Sequence, residues 1–301
     1  MPQLPETQND WTIHALNIHG VFFERRCASV VAETPGWKVL STNYPVEYPP
    51  PNGLLRGKES SLDIWARRDS DPSSVVDVLI ECKKANPEFV NWIFFPKHES
   101  PTPTPFCYAK AINSQNAAGS GPWTSQVVIH QTGTITAPIA NDAREVRGDY
   151  LKHQSNNKTK TSNAAIQEAA YQVALANRAI VHEETALLEK ASQSPEHPEP
   201  PWLSKAYVPI IVTTANLYQV DFSPNSTDLA SGEIDLKNAT LTPVQRVLYE
   251  YALPKHLQFP PQDPLTALKG SDSDTFSRMH ILVVHSEAMS DLLRETFTNS
   301  S

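Results

Sequence analysis

Two short segments with alternating apolar and polar side chains constrain this chain more than any other feature. They read SSLDIWA (60–66) and VVDVLIECKK (75–84), and a polar stretch with turn chemistry around Pro72 separates them. Successive side chains of a strand point to opposite faces. The even-numbered residues of the second segment, from Val76 to Cys82, therefore form an apolar face. The pattern predicts two antiparallel strands that pack one face on a core.

Pairing that is symmetric about Pro72 would place Asp63 opposite Glu81, since each lies nine residues from that proline. Leu62 and Ile64 would then both face the apolar layer. Directly opposed side chains have Cβ atoms about 4.5–5.5 Å apart, and two carboxylates that close destabilise a sheet unless a cation lies between them. Hard divalent cations such as Mg²⁺ prefer carboxylate oxygens. The pair therefore predicts a metal site.

Lys83 follows Glu81 by two residues and shares its face of the strand. A lysine at that place suits two kinds of chemistry: it orients or deprotonates a water, or its positive charge offsets the charge that develops on a phosphate. Glu and Lys on an exposed strand face are also typical of an ordinary solvated surface. The residues by themselves leave both interpretations open.

Asp63 and the run Glu81-Cys82-Lys83, on two adjacent strands behind a helix, resemble the PD-(D/E)XK nuclease superfamily. Leu62-Asp63 stands where the family name has Pro-Asp. The likeness extends to an acid in the first helix, Glu24, and to the Gln-x-x-x-Tyr signature of some exonuclease-type members, here Gln167 and Tyr171 in QEAAY. Side chains four residues apart share one face of a helix.

The resemblance implies a restriction endonuclease-like fold, which is α/β with a mixed sheet flanked by helices. It also implies metal-dependent hydrolysis of phosphodiester bonds, with DNA as the expected substrate and partner. Mg²⁺ is the expected cofactor, with Mn²⁺ as a substitute. Asp63 and Glu81 would hold the ion, and the backbone of Cys82 would offer a further ligand through its carbonyl oxygen.

The same resemblance gives roles to the remaining residues. Glu24 would take part directly or through a water, Lys83 would position the attacking water, and Gln167 and Tyr171 would lie near the substrate backbone. Each of the last two also has a structural interpretation, as does Glu24 beside two arginines. The alternative function is a catalytically inactive nuclease-fold protein that acts as a nucleic-acid- or protein-binding module.

Periodicity predicts the other elements. The chain is expected to be a single domain over residues 1–301, with an insertion of mostly irregular structure over the proline-rich residues 96–162. Helices are expected over 11–34, 163–190 and 241–253. A strand buried on both faces is expected over 207–214, because that run is almost continuously apolar.

Charge and composition limit the kinds of partner that the chain is expected to bind. The chain has 25 Lys and Arg against 33 Asp and Glu, a net charge of −8, which excludes a basic coat over the whole surface. The segment 144–160 is locally basic, with five Lys or Arg and two acids. A polar loop and a guide for a phosphate backbone are both compatible with it. A protein partner or a homo-oligomer is a further expectation.

The remaining motifs are informative by their absence from the sequence. The three cysteines form no CxxC pair, and no phosphate-binding loop, dinucleotide fingerprint or GxSxG elbow is present. No apolar run reaches the roughly 20 residues that a membrane helix needs. These patterns predict an intracellular, soluble protein, cytoplasmic or nuclear, without a membrane partner.

Overall fold

The computed structural model describes residues 8–48, 58–71, 74–97, 104–114, 124–135, 137–146, 161–192, 204–258 and 277–295. These residues form an α/β structure with one large mixed sheet. Its α-helices are α1 (Gln8–Ile18), α2 (Val21–Glu33), α3 (Ala164–Ser192) and α4 (Met289–Glu295). None of the described helices combines the length and the apolar character needed to span a membrane.

The strands fall into three groups along the chain. The first is β1 (Trp37–Tyr48), β2 (Lys58–Asp71), β3 (Ser74–Lys83) and β4 (Asn91–Pro96). The second is β5 (Thr104–Ser114), β6 (Thr124–Ile135), β7 (Ile139–Val146) and β8 (Thr161–Ser162). The third is β9 (Ser204–Thr213), β10 (Asn216–Phe222), β11 (Ala239–Val244), β12 (Arg246–Ala252) and β13 (Arg278–His285).

The sheet order is β1-β2-β3-β9-β13-β12-β7-β4-β10-β11. Strands β1, β2 and β3 are antiparallel neighbours, and β3 then pairs in parallel with β9 along its whole length, from Ser74↔Ser204 to Lys83↔Thr213. The other edge of β9 is shared, because β5 pairs with its first half and β13 with its second half. Parallel strands with neighbours on both sides need apolar side chains on both faces, which explains the apolar sequence of β9.

Helices cover both faces of the sheet. On one face, Val173 and Ala174 of α3 share a buried cluster with Leu79 and Ile211. On the opposite face α2 and α4 pack on a second cluster, to which Ile80 and its even-numbered neighbours in β3 contribute. The apolar face predicted for β3 is therefore confirmed, and its other face lies under α3 rather than in solvent.

The first turn of α3 is fixed to the sheet by hydrogen bonds to its backbone N–H groups. Ser162 Oγ accepts from Ala164 at 3.1 Å. The buried carboxylate of Glu145, on β7, accepts from Ala165 at 2.7 Å and from Ile166 at 3.3 Å. An acid at this end also interacts favourably with the helix dipole. These contacts hold in place the turn that carries residues 167 and 168.

The single helix predicted over 11–34 is wrong. Gly20 adopts a left-handed conformation with φ of 81°, which ends α1 and begins α2. The two helices do not share one buried face, since Trp11 and Ile13 of α1 are half exposed while Cys27 and Val31 of α2 are buried. Glycine is the residue that adopts positive φ without steric strain, so its position in the sequence marked the break.

The helix predicted over 241–253 is also wrong, because these residues form β11 and β12. All residues of β12 from Val247 to Tyr251 are buried, since the strand lies between β13 and β7. A short, continuously apolar run cannot be assigned to helix or strand by periodicity alone. Pro243 lies in β11 at the end of the sheet order, where a missing N–H donor is tolerated.

The irregular structure expected over 96–162 is contradicted by the described part of that segment, which forms β5, β6, β7 and β8. Strand β7 even lies within the main sheet, between β12 and β4. Its sequence, IANDAREV, is poor in β-branched residues, and its place between two strands overrides that weak propensity. Residues 98–103, 115–123, 136 and 147–160 lie outside the described residues, as does most of the basic segment. The division into one domain with an insertion stays a prediction.

Candidate functional site

The β2–β3 register follows the predicted symmetry as far as the pair Ile64↔Ile80, after an irregularity near the turn. The next position on each strand is Asp63 and Glu81. The backbone N–H of Cys82 donates a hydrogen bond of 2.7 Å to Asp63 Oδ2, which ties the acid of β2 to β3.

The prediction that Leu62 faces the same apolar layer as Ile64 is wrong. Its side chain packs in the cluster under α3, whereas Ile64 packs in the opposite cluster. The regular β2–β3 ladder stops at Ile64, so the alternation of β2 is not kept across Asp63. The acid therefore lies where the strand departs from regular pairing.

Asp63, which is partly buried, and Glu81, which is buried, both have raised pKa values. Burial raises the pKa of Asp63 from 3.8 to about 6, and the negative charge of Glu24 adds to the effect, while the Cys82 N–H and Lys83 oppose it. Burial also raises the pKa of Glu81 from 4.5 to about 9, and the neighbouring Asp63 charge is the second cause. The Asp63 charge thus disfavours ionisation of Glu81, as expected for two acids on adjacent strands.

Glu81 has an oxygen without a partner. Its side chain is buried, and within the described part of the chain no hydrogen-bond donor meets its Oε2 atom. A buried carboxylate oxygen without a donor is unfavourable, and a cation or a proton removes the penalty. This atom is the strongest local indication that the site accepts a ligand.

Lys83 lies between the acid pair and α3. Its Nζ atom is 2.9 Å from Glu168 Oε2, and its positive charge lowers the pKa of both Asp63 and Glu81. Glu168 follows Gln167 in the first turns of α3. No motif in the sequence gave Glu168 a role. Nor did any sequence pattern indicate that Glu168, rather than Gln167, reaches Lys83.

Glu24 lies in the first turn of α2 and faces the same site. Its charge raises the pKa of both Asp63 and Glu81. A Cβ atom built on Gly20 would lie 3.8 Å from Glu24 Oε1 and 3.6 Å from the Cβ atom of Lys84. Both distances are ordinary van der Waals contacts, so glycine is required at this position by its φ of 81° rather than by lack of space. The turn at Gly20 places the start of α2 beside the end of β3, and the structure brings Glu24 together with the predicted acids.

The thiol of Cys82 points away from this site. It is buried in the core beside Cys27, and a hydrogen bond between the two thiols together with burial raises the pKa of Cys82. Only the backbone of Cys82 borders the carboxylates, and its N–H is engaged with Asp63. The carbonyl ligand implied by the resemblance stays a prediction.

Gln167 and Tyr171 do not contact the acid pair. Gln167 Nε2 donates to the Tyr249 hydroxyl at 2.7 Å, and the Tyr171 hydroxyl lies 3.1 Å from His256 Nε2. Within the described residues neither side chain hydrogen-bonds to Asp63 or Glu81. They border the site through the shared helix, one on each side of Glu168.

A second buried polar cluster occupies the same sheet face further along β3. Asp77, with no exposed surface, accepts from Arg67 at 2.8 Å and lies 2.7 Å from Lys205 Nζ, which also pairs with Glu184. The Asp77 carboxylate is thus fully paired. The cluster joins β2, β3, β9 and α3. The cluster is a structural tie, and Asp77 is not part of the candidate site.

The donor set fits a hard divalent cation that retains several waters. Mg²⁺ is usually held by only one or two carboxylates, and Asp63 and Glu81 offer two, one with an unpaired buried oxygen. A site in which the protein supplies most of the ligands would be a different arrangement. Among the residues that the structure describes, no group of three or more His, Cys, Asp or Glu side chains is placed to hold a metal in that way.

Comparison of the chain with protein-family models, with curated proteins and with solved structures gave no significant match. The geometry of the site and its chemistry therefore carry the functional argument.

Proposed function

We propose that this protein is a metal-dependent nuclease of the PD-(D/E)XK type, with a restriction endonuclease-like fold, that hydrolyses phosphodiester bonds of DNA. The observation that carries the proposal is the acid pair on adjacent strands: partly buried Asp63, and buried Glu81 with an unpaired carboxylate oxygen and Lys83 beside it. A mixed sheet flanked by helices on both faces supports it.

In this proposal Asp63 and Glu81 hold Mg²⁺, for which Mn²⁺ substitutes. The bound ion supplies Lewis-acid stabilisation of the charge that develops on the phosphate. The Cys82 N–H fixes the orientation of the Asp63 carboxylate through its 2.7 Å hydrogen bond. Glu81 has to release its proton before it can act as a ligand, because burial raises its pKa to about 9.

The other residues act on the substrate and on water. The Lys83 ammonium lies close enough to lower the pKa values of both acids, so it is placed to orient a water or to offset phosphate charge near them. Glu24 adds a further negative group from the α2 side. Gln167 and Tyr171, on the same face of α3, are assigned to contacts with the substrate backbone.

Cleavage assays on supercoiled, linear and single-stranded DNA and on RNA test this function, in Mg²⁺ or Mn²⁺ and in EDTA. We expect metal-dependent cutting that is lost in Asp63→Ala, Glu81→Ala and Lys83→Ala, with folding checked by circular dichroism. Full activity in all three variants would contradict the proposal. The preferred substrate identifies the class of nucleic acid.

A catalytically inactive binding module with the same fold is the second candidate. It is favoured by the raised pKa of Glu81, about 9, since a protonated Glu81 carries no charge at neutral pH in the absence of a metal. The net charge of −8 also suits protein partners better than DNA. Folded protein that binds no divalent cation and cuts no substrate, but associates with another protein, would favour this candidate.

A further inference from the structure

Glu168 is an acid that the family resemblance does not assign and that nevertheless reaches the candidate site. Its Oε2 atom lies 2.9 Å from Lys83 Nζ, with the Glu168 side chain 60% exposed and the Lys83 side chain 22% exposed. It also lies near enough to Glu81 to raise the pKa of that residue. Glu168 and the Asp63–Glu81 pair therefore both interact with the Lys83 ammonium.

The Lys83 side chain does not by itself fix the position of its ammonium group. Four methylene groups give lysine many rotamers, and acids on the strands and on α3 attract its charge. One attraction is toward Asp63 and Glu81, whose pKa values the lysine lowers, and the other is toward Glu168 on α3. An ammonium drawn fully onto the two strand carboxylates would compete with a metal ion for the same oxygens.

We propose that Glu168 is a positioning residue: it holds the Lys83 ammonium on the α3 side of the Asp63 and Glu81 carboxylates and so leaves them open to a divalent cation. This inference rests on the proposed metal-dependent function. The helix can act as the anchor because Glu145 and Ser162 fix its first turn to the sheet.

A contribution to stability does not account for the contact. Exposed ion pairs add little to the free energy of unfolding, since solvent screens them and two long side chains lose rotamer freedom. Glu168→Gln is therefore expected to leave the thermal midpoint unchanged. Its effect should appear in the binding of the cation.

A double-mutant cycle on Mn²⁺ affinity, measured by calorimetry without nucleic acid, tests the inference. Wild type, Glu168→Gln, Lys83→Met and the double variant are compared. We expect Glu168→Gln alone to weaken Mn²⁺ binding about tenfold, because the released ammonium moves onto the carboxylates. In the Lys83→Met background the same substitution should have no effect, since no ammonium remains to be moved.

Glu183→Gln is the matched control, because Glu183 is another exposed acid of α3 and accepts a hydrogen bond of 2.9 Å from the hydroxyl of Tyr44 on β1. It should bind Mn²⁺ as the wild type does. Equal weakening by Glu168→Gln in both backgrounds would mean that Glu168 acts through its own charge, which overturns the inference, as does unchanged affinity in Glu168→Gln. Wild type that binds no Mn²⁺ would overturn the metal site itself and the inference with it.

Discussion

The backbone N–H of Cys82 donates to Asp63 Oδ2 at 2.7 Å, and this bond joins the two strands that carry the candidate site. Asp63 lies one position beyond the last regular pair, Ile64↔Ile80, on β2, and Cys82 lies two positions beyond it on β3. The site is thus at the place where β2 leaves the ladder. There the partly buried carboxylate of Asp63 borders Glu81 of β3.

The first prediction concerns pH and Glu81. Burial raises its pKa from 4.5 to about 9, so between these values the folded protein holds a proton that the unfolded chain releases. The contribution of Glu81 to the free energy of unfolding therefore falls as pH rises, by about 1.4 kcal/mol per unit and so by about 3 kcal/mol between pH 4.5 and 7. Glu81→Gln, a neutral side chain of the same shape, should remove the slope above about pH 6, whereas the raised pKa of Asp63, about 6, leaves a slope below it in both proteins.

Urea unfolding in EDTA over about pH 5 to 8 measures the effect in both proteins. At the alkaline end the variant should be more stable than the wild type. A wild-type slope that persists unchanged in Glu81→Gln would show that the Glu81 carboxyl is not the group responsible. Added Mn²⁺ should stabilise the wild type most at the alkaline end, because the metal requires the deprotonated acid.

Much of the hairpin could be predicted from the sequence because strand alternation and turn chemistry are local. The β2–β3 register and the inward thiol of Cys82 both follow from a period of two residues. Glu168 could not be predicted to reach Lys83. That contact depends on how a helix about 85 positions away is placed over the strand, and on the hydrogen bonds that backbone N–H groups of this helix donate to Glu145.

Two of the secondary-structure errors share a physical cause, which is tertiary context. Strands β7 and β12 owe their conformation to neighbours on both sides, and their own sequences are weak or ambiguous signals. Asp77 shares a face of β3 with Glu81, yet it belongs to a different cluster. Its fully buried partner Lys205 comes from β9, more than a hundred residues later, and no local pattern reveals the pairing.

The second prediction concerns Gly20, whose φ of 81° separates α1 from α2. Gly20→Ala should destabilise the protein by about 1 kcal/mol, because a Cβ atom is strained at positive φ. It should also weaken Mn²⁺ binding, because relief of the backbone strain at residue 20 would shift the first turn of α2, which carries Glu24. The new atom itself would make only an ordinary van der Waals contact, 3.8 Å from Glu24 Oε1.

Gly232→Ala is the control for Gly20. Gly232 has a similar φ of 73°, but a Cβ atom there meets nothing within 4 Å. It should lose stability for the same backbone reason and keep wild-type Mn²⁺ affinity. Equal Mn²⁺ affinity in the two variants would show that Gly20 does not influence the metal site.

The third prediction concerns the buried tie around Lys205. Lys205→Met removes the buried cation that lies 2.7 Å from Asp77 and also pairs with Glu184, so that the two acids are left to share the charge of Arg67. Loss of one partner of such a pair destabilises by about 3–5 kcal/mol. Chemical denaturation should therefore show a large drop in unfolding free energy.

Lys237→Met is the control for Lys205, because Lys237 is largely exposed and lies 2.8 Å from Asp235. No measurable change is expected there, since solvent screens the pair. A Lys205→Met protein as stable as this control would show that the buried cluster does not hold α3 and β9 to the hairpin.

The central claim is that Asp63 and Glu81 form one divalent-cation site, and anomalous X-ray scattering from crystals grown with Mn²⁺ at mildly alkaline pH tests it most directly. The account predicts a Mn²⁺ peak within coordination distance of carboxylate oxygens from both residues, and no such peak in Glu81→Gln crystals. Wild-type crystals with Mn²⁺ bound only elsewhere, or with no peak between these two acids, would contradict it.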